Sequence, residues 1–284
     1  MKKYYLFLFS LLLIASASFA FLGFVQHQQH RTNAITNAAD LLFGISSSES
    51  LNWAGYAVTG SNIVNVSGSF IVPSYSGQSS SAGPKAGHQG GGPGGGSTTS
   101  YAAFWAGIDG YNSNTVEQAG VLMEVQNGVA SYSVWYEFYP AAPVYANWAP
   151  SPGDKIAVYV NYTASNDTFV ATVVDITHGE VYQSPYTSVS GADRSSAEWI
   201  AEAPSSGHGI LPLADFGTAD FGPSYVSNYG NYATVNGVTG SILTLSNSYN
   251  VYKINMVKNN GSLKAETSSL LSDGDSFYVT WKSS

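Results

Sequence analysis

The chain has 284 residues, with 18 acids against 10 lysines and arginines and no cysteine, so disulfides and thiolate chemistry are excluded. A formal net charge of −8 without clustered cations lacks the footprint of a phosphate-backbone reader, and nucleic acid is excluded as a partner. Only 10% of residues are charged, while 20 are Tyr and 30 are Gly, a mixture that favours sheet and turn over helix.

Residues 1–25 place Lys2 and Lys3 before an apolar run, with Ser18-Phe19-Ala20 as a small-x-small cleavage site; this is the pattern of a secretory signal. The run continues to Val25, long enough for a single membrane anchor, so a chain secreted or held outside the cell by this segment is expected. Residues 26–50 are polar and weakly patterned apart from AADLLFGI, and read as a linker or short pro-segment. Over 51–284 strand follows strand. SGSFIVP comes first, then TVEQAGVLMEV and VASYSVWYEFYP around Asn127-Gly128, the strongest short-range hairpin signal. DKIAVYVNYT, TFVATVVDIT, EVYQSPY, SSAEWIAEA, YATVNG, SILTL, NVYKINMV, SLKAETS and SFYVTW follow, and no helical period interrupts them. The fold class predicted is all-β, one antiparallel sandwich or jelly roll of about a dozen strands. The Gly/Ser-rich stretch 74–100 breaks the pattern. Its GGGPGGG lacks the GxxxxGK[ST] spacing of a phosphate loop and reads as a surface insertion open to proteolysis.

From Leu51 onward, 16 acids stand against 7 lysines and arginines and 3 histidines. In acid the carboxylates neutralise and little positive charge remains, so self-repulsion is mild and acid tolerance is expected.

GxSxG, HExxH and Asp-Thr/Ser-Gly are all absent. His88, His178 and His208 lie in loop-like text, read as solvated, and no metal site is expected. Carboxylates remain. With Asn127-Gly128 as the turn, Gln118 faces Glu137, Gly120 faces Trp135 and Leu122 faces Ser133, so one sheet face presents Gln118, Glu137, Trp135 and Tyr139 around a glycine that leaves room for an approaching group. In AEWIAEAP (197–204) alternation points Glu198, Ile200 and Glu202 one way and Trp199 and Ala201 the other. The two acids stand roughly 13 Å apart along the strand, so each needs partners from another strand or from water. Residue pattern alone leaves a solvated outer face as open as a reactive one.

The text SLNWAGYAV (51–59), FIVPS (70–74), FWAGIDG (104–110), EQAGV (117–121), VWYEFYP (134–140), SAEWIAEA (196–203) and LADFGTADF (213–221) resembles, in order, the glutamic peptidases or eqolisins, acid-active secreted endopeptidases. The resemblance implies a concanavalin A-like sandwich with its active site on the concave face. It implies a catalytic pair, Gln118 and Glu202, with Glu198 in support, and Trp53, Trp105, Asp109, Trp135 and Glu137 at positions that line or support the cleft. Glu202 would be the general base that activates water and returns the proton to the leaving amine, and Gln118 the donor to the oxyanion. Glu137, opposite Gln118, would fix its amide. An ordinary carboxylate, ionising near ~4.3, would suit work around pH ~3–5, where an imidazole would be protonated. Protein or peptide substrates, no cofactor and a monomer are the corresponding expectations. This chain departs from the family at Ala119, where a Thr is usual, and at Leu122 and Ser133, where acids are. The alternative is a carbohydrate-binding or glycoside-hydrolysing sandwich using Glu137 and Glu202 as the acid pair; Gln118 discriminates, since only the peptidase chemistry needs it.

Overall fold

The computed structural model describes Asp40 and residues 43–77 and 99–284. The signal or anchor expected over 1–25 and most of the insertion expected over 74–100 lie outside the described residues, as does His88.

In chain order the strands are β1 (Ile45–Ser50), β2 (Trp53–Thr59), β3 (Ile63–Ile71), β4 (Thr99–Ile108), β5 (Val116–Gln126), β6 (Val129–Tyr139), β7 (Val144–Tyr145), β8 (Lys155–Thr163), β9 (Thr168–Asp175) and β10 (Glu180–Gln183). They continue with β11 (Ser196–Glu202), β12 (Ser205–Ser206), β13 (Gly209–Ile210), β14 (Thr218–Phe221), β15 (Tyr232–Val235), β16 (Val238–Ser241), β17 (Asn250–Val257), β18 (Leu263–Thr267) and β19 (Phe277–Trp281). One sheet runs β1-β17-β2-β11-β4-β5-β6-β7, antiparallel except for the parallel β1–β17 pair. The second runs β10-β9-β8-β3, with β15–β16 and β14–β19–β18 joined beyond β3. Pairing of β18 with β17 links the two along one edge.

Alternation builds the interior. Tyr56, Phe104 and Trp199 from the first sheet meet Phe70, Ile156, Phe169 and Phe277 from the second in a single fully buried core. Each such side chain contributes about 1.5–3 kcal/mol by leaving water. Trp199 keeps its polar tip satisfied by donating from Nε1 to Ser67 O at 2.7 Å. The intervening residues of the same strands point out of the sandwich and form a second apolar cluster on the far face of the first sheet, with Trp53, Trp105, Trp135 and Ile200 at its heart.

The β5–β6 hairpin has the predicted register: Asn127 and Gly128 both take positive φ, 52° and 81°, as the tight turn requires, and Gln118 pairs with Glu137, Gly120 with Trp135 and Leu122 with Ser133. Three expectations change. SILTL is not a strand: Ile242–Leu245 form the one-turn helix α1, started by Ser241, whose Oγ accepts from Thr244 N. The segment 26–50, read as a linker, ends in β1, and Asp40 before it is buried and ion-paired with Lys253 of β17. The space opposite Trp135 is not open either, since a Cβ on Gly120 would lie 2.0 Å from Phe104 O and 2.8 Å from Trp105 Cβ. Glycine is needed there because β4 comes too close for any side chain.

Candidate active site

Four neighbouring strands of the first sheet supply the site. Across β11, β4, β5 and β6, one row reads Glu198, Gly107, Gln118 and Glu137; the next same-face row reads Ile200, Trp105, Gly120 and Trp135; the third reads Glu202, Ala103, Leu122 and Ser133. Gln118 and Glu202 therefore share a face but lie on a diagonal, two strands and four residues apart.

Trp105 fills that diagonal. Its Nε1 donates to Glu202 Oε2 at 2.8 Å. The other end of the indole reaches Gly107, where a Cβ would meet both Trp105 Cζ3, at 3.2 Å, and Gln118 Cβ, at 3.0 Å. Trp53 meets this indole edge-on, ring centres 5.0 Å apart. Fully buried, Trp105 is a floor that positions other groups and not a contact surface.

Glu202, only partly buried, lies on the outer face of the first sheet and receives a second hydrogen bond from Asn52 Nδ2 at 3.3 Å. Burial pushes its carboxyl up to about 8, against the downward pull of Trp105, Trp53 and Asn52 and with an upward push from the charge of Glu137. Such a shift favours the neutral form across the acid range, whereas the family resemblance implied an ionised, ordinary carboxylate. Gln118 is nearly buried and its Nε2 donates to Glu137 Oε2 at 2.8 Å, the pairing expected from the hairpin. Burial raises Glu137 to about 7, moderated by that hydrogen bond.

Glu198, level with Gln118, is completely buried and held far above the usual carboxylate range, first by burial. It cannot touch a substrate. Glu117, also fully buried but in the row of Ile108 and Ala197 on the other face of the sheet, is pushed up to about 9 by burial and by Asp109. Asp109 does not line the cleft. It is buried in a left-handed backbone conformation (φ 69°), and its carboxylate accepts from Arg194 N at 2.7 Å, Ser195 N at 2.8 Å and Ser195 Oγ at 3.0 Å, tying the end of β4 to the start of β11. Trp53 and Trp135 are nearly buried in the face cluster. Leu122 and Ser133 stand opposite each other as predicted. Sequence reasoning missed Asn52, which sits in the quoted NWAG text but gave no sign that its side chain would reach Glu202, 150 residues away. It also missed Tyr111, whose ring stacks on Tyr252 at 4.8 Å over the same face.

The model of the peptidase A4 family matches residues 51–281. The chain belongs to the peptidase A4 family. It is 32% identical over 237 residues to Aspergillopepsin-2 of Aspergillus niger, covering 82% of this chain and 78% of that protein. Over 156 residues it is also 32% identical to Scytalidopepsin B of Scytalidium lignicola, covering 53% of this chain and 51% of the relative. The fold is that of scytalido-glutamic peptidase, solved with a peptide-based transition state analogue (TM-score 0.60, 23% identity, 81% of this chain and 98% of that one). Aspergilloglutamic peptidase from Aspergillus niger superposes with a TM-score of 0.53 at 31% identity, over 64% of this chain and 99% of that one. A member of this family is a glutamic peptidase, a hydrolase of peptide bonds acting on proteins or peptides, and the carbohydrate alternative falls away. Among the described residues no helix is long and apolar enough to cross a membrane.

Proposed function

We propose that this member of the peptidase A4 family is an exported acid endopeptidase in which Glu202 carries the protons and Gln118 holds the oxyanion. The supporting observation is a single sheet face that carries both a partly exposed carboxyl, oriented by Trp105 and Asn52, and, across the Trp105 indole, a carboxamide anchored by Glu137. A neutral carboxyl can run the step in one cycle. Its carbonyl oxygen takes a proton from the attacking water while its hydroxyl gives one to the leaving nitrogen. The C–O bond forms, the C–N bond breaks, and the carboxyl ends as it began. With one Nε2 hydrogen on Glu137, Gln118 keeps the other for the oxygen that becomes negative, a contribution of about 3–4 kcal/mol. Burial of Glu202 supports this neutral start, and activity is then lost as rising pH ionises the group, towards about 8.

Export rests on the N-terminal segment, and the mature N-terminus read from culture medium tests it. The chemistry is tested by digestion of an unfolded protein from pH 2 to 9 with the wild type, Glu202→Gln and Gln118→Ala. Both variants are expected to be folded and at least 100-fold slower, the smallest loss usual for a proton carrier or an oxyanion donor (~10²-fold). A folded Gln118→Ala enzyme with near-normal rates would overturn the assignment of the oxyanion donor.

A further inference from the structure

Away from the cleft, on the second sheet, three side chains converge that the peptidase reaction does not use. Asp154 immediately precedes β8, Asp175 ends β9, and His178 lies in the turn to β10. Both acids are nearly buried, whereas the His178 side chain is 58% exposed. In each acid one oxygen is already committed to backbone: Asp154 Oδ2 accepts from Ser151 N at 2.7 Å, and Asp175 Oδ1 accepts from Thr177 N at 2.8 Å and His178 N at 3.1 Å. The remaining oxygens, Asp154 Oδ1 and Asp175 Oδ2, both face His178 Nδ1, at 3.4 and 3.0 Å.

Two carboxylate oxygens thus share one imidazole nitrogen. A single imidazole nitrogen presents at most one hydrogen. It lies nearer Asp175 Oδ2, at 3.0 Å, and Asp154 Oδ1, on a carboxylate 95% buried, meets the same nitrogen as an ion-pair partner at 3.4 Å. The spacing has a second meaning. A first-row divalent ion bound at about 2.0–2.2 Å by nitrogen and carboxylate ligands holds those ligands about 3.0–3.5 Å apart along the edges of its polyhedron. The two distances to His178 Nδ1 fall in that range, and all three ligand atoms lie within 4.8 Å of one another. Backbone N–H groups already orient both carboxylates, which is the outer-shell support that fixes metal ligands in place. The exposed imidazole edge provides the way in.

We infer that Asp154, Asp175 and His178 form a binding site for a first-row divalent metal ion of the zinc type, two carboxylates and one imidazole supplying three ligands and water the rest. No thiolate is present to favour softer ions, and the imidazole disfavours calcium and magnesium. Because the ligands join the start of β8 to the β9–β10 turn, on the sheet opposite the cleft, the ion would clamp that end of the second sheet and take no part in hydrolysis.

Calorimetric titration of the purified chain with Zn2+ alone at pH 7.5, in a non-chelating buffer, tests this. A saturable one-to-one heat is expected in the wild type, with an upward shift in Tm. Both should be lost in His178→Ala, an exposed substitution, and in the isosteric Asp154→Asn, while peptide hydrolysis at acid pH is unchanged in both variants. Equal heats in wild type and His178→Ala would place any zinc at another histidine and overturn the inference, as would the absence of saturable heat in the wild type.

Discussion

Replacing Glu202 by Gln should damage catalysis and improve stability at the same time, but only at one end of the pH range. Burial lifts the carboxyl from its ordinary 4.5 to about 8 in the folded chain. The unfolded chain releases that proton near ~4.3, so the stability associated with Glu202 is fully present below that pH and is lost as the pH rises to about 8. A shift of three to four pH units at about 1.4 kcal/mol each is an upper bound; with one side open to cleft water, on the order of 2–4 kcal/mol is reasonable. For a chain of this size that is roughly 5–15 °C in Tm. A glutamine does not titrate. The difference in Tm between Glu202→Gln and wild type is therefore expected to be small at pH 4 and to grow in favour of the variant by pH 8–9, while hydrolysis falls by about 10²–10⁴-fold. Scanning calorimetry at both pH values, beside a peptide-cleavage assay in acid, makes the comparison. A difference in Tm that is the same at pH 4 and pH 9 would refute the reasoning, since it would mean that Glu202 ionises alike in the folded and unfolded chain.

Three further outcomes are expected. Trp105→Phe removes the 2.8 Å donor to Glu202; at about 1.5–3 kcal/mol for a hydrogen bond to a charged acceptor, Glu202 should ionise about 1–2 pH units higher, read from its carboxyl 13C resonance. Glu117→Gln should flatten the fall in Tm between pH 4.5 and 9, because the wild-type carboxyl, raised to about 9, contributes stability in acid that is lost as pH rises; an unchanged slope counts against a proton at Glu117. Gly120→Ala forces a Cβ to 2.0 Å from Phe104 O, and should cost more than ~4 kcal/mol or prevent folding, judged by soluble yield and circular dichroism.

Local chemistry made part of this molecule legible. Asn127-Gly128 fixed a two-residue turn, and the turn fixed the pairing of Gln118 with Glu137. Strand alternation sorted Glu202 from Trp199. The motif text pointed to the family. What sequence could not reveal came from long-range pairing. Nothing near AEWIAE says that β11 lies between β2 and β4, which places Asn52 and Trp105 on Glu202. Nor does a motif position separate a buried strut such as Asp109 from a group at the surface. The ionisation of Glu202 is likewise a property of burial, and burial is not written in residue type. SILTL misled because so short an apolar run fits a strand as well as a single helical turn, and the Ser241 cap decides.

The position of β1 bears on how the chain can be processed. Its six residues run alongside β17 from Ile45↔Val251 to Ser50↔Met256, and Asp40 supplies the counter-charge for a Lys253 that is almost wholly buried. Trimming the chain back to Leu51 would strip away that edge strand, expose the backbone of β17 to pairing with other chains and leave an ammonium group without its anion. A cut compatible with this architecture therefore falls upstream of Asp40, because the segment read as a linker or short pro-segment supplies a strand of the sheet and a buried counter-charge.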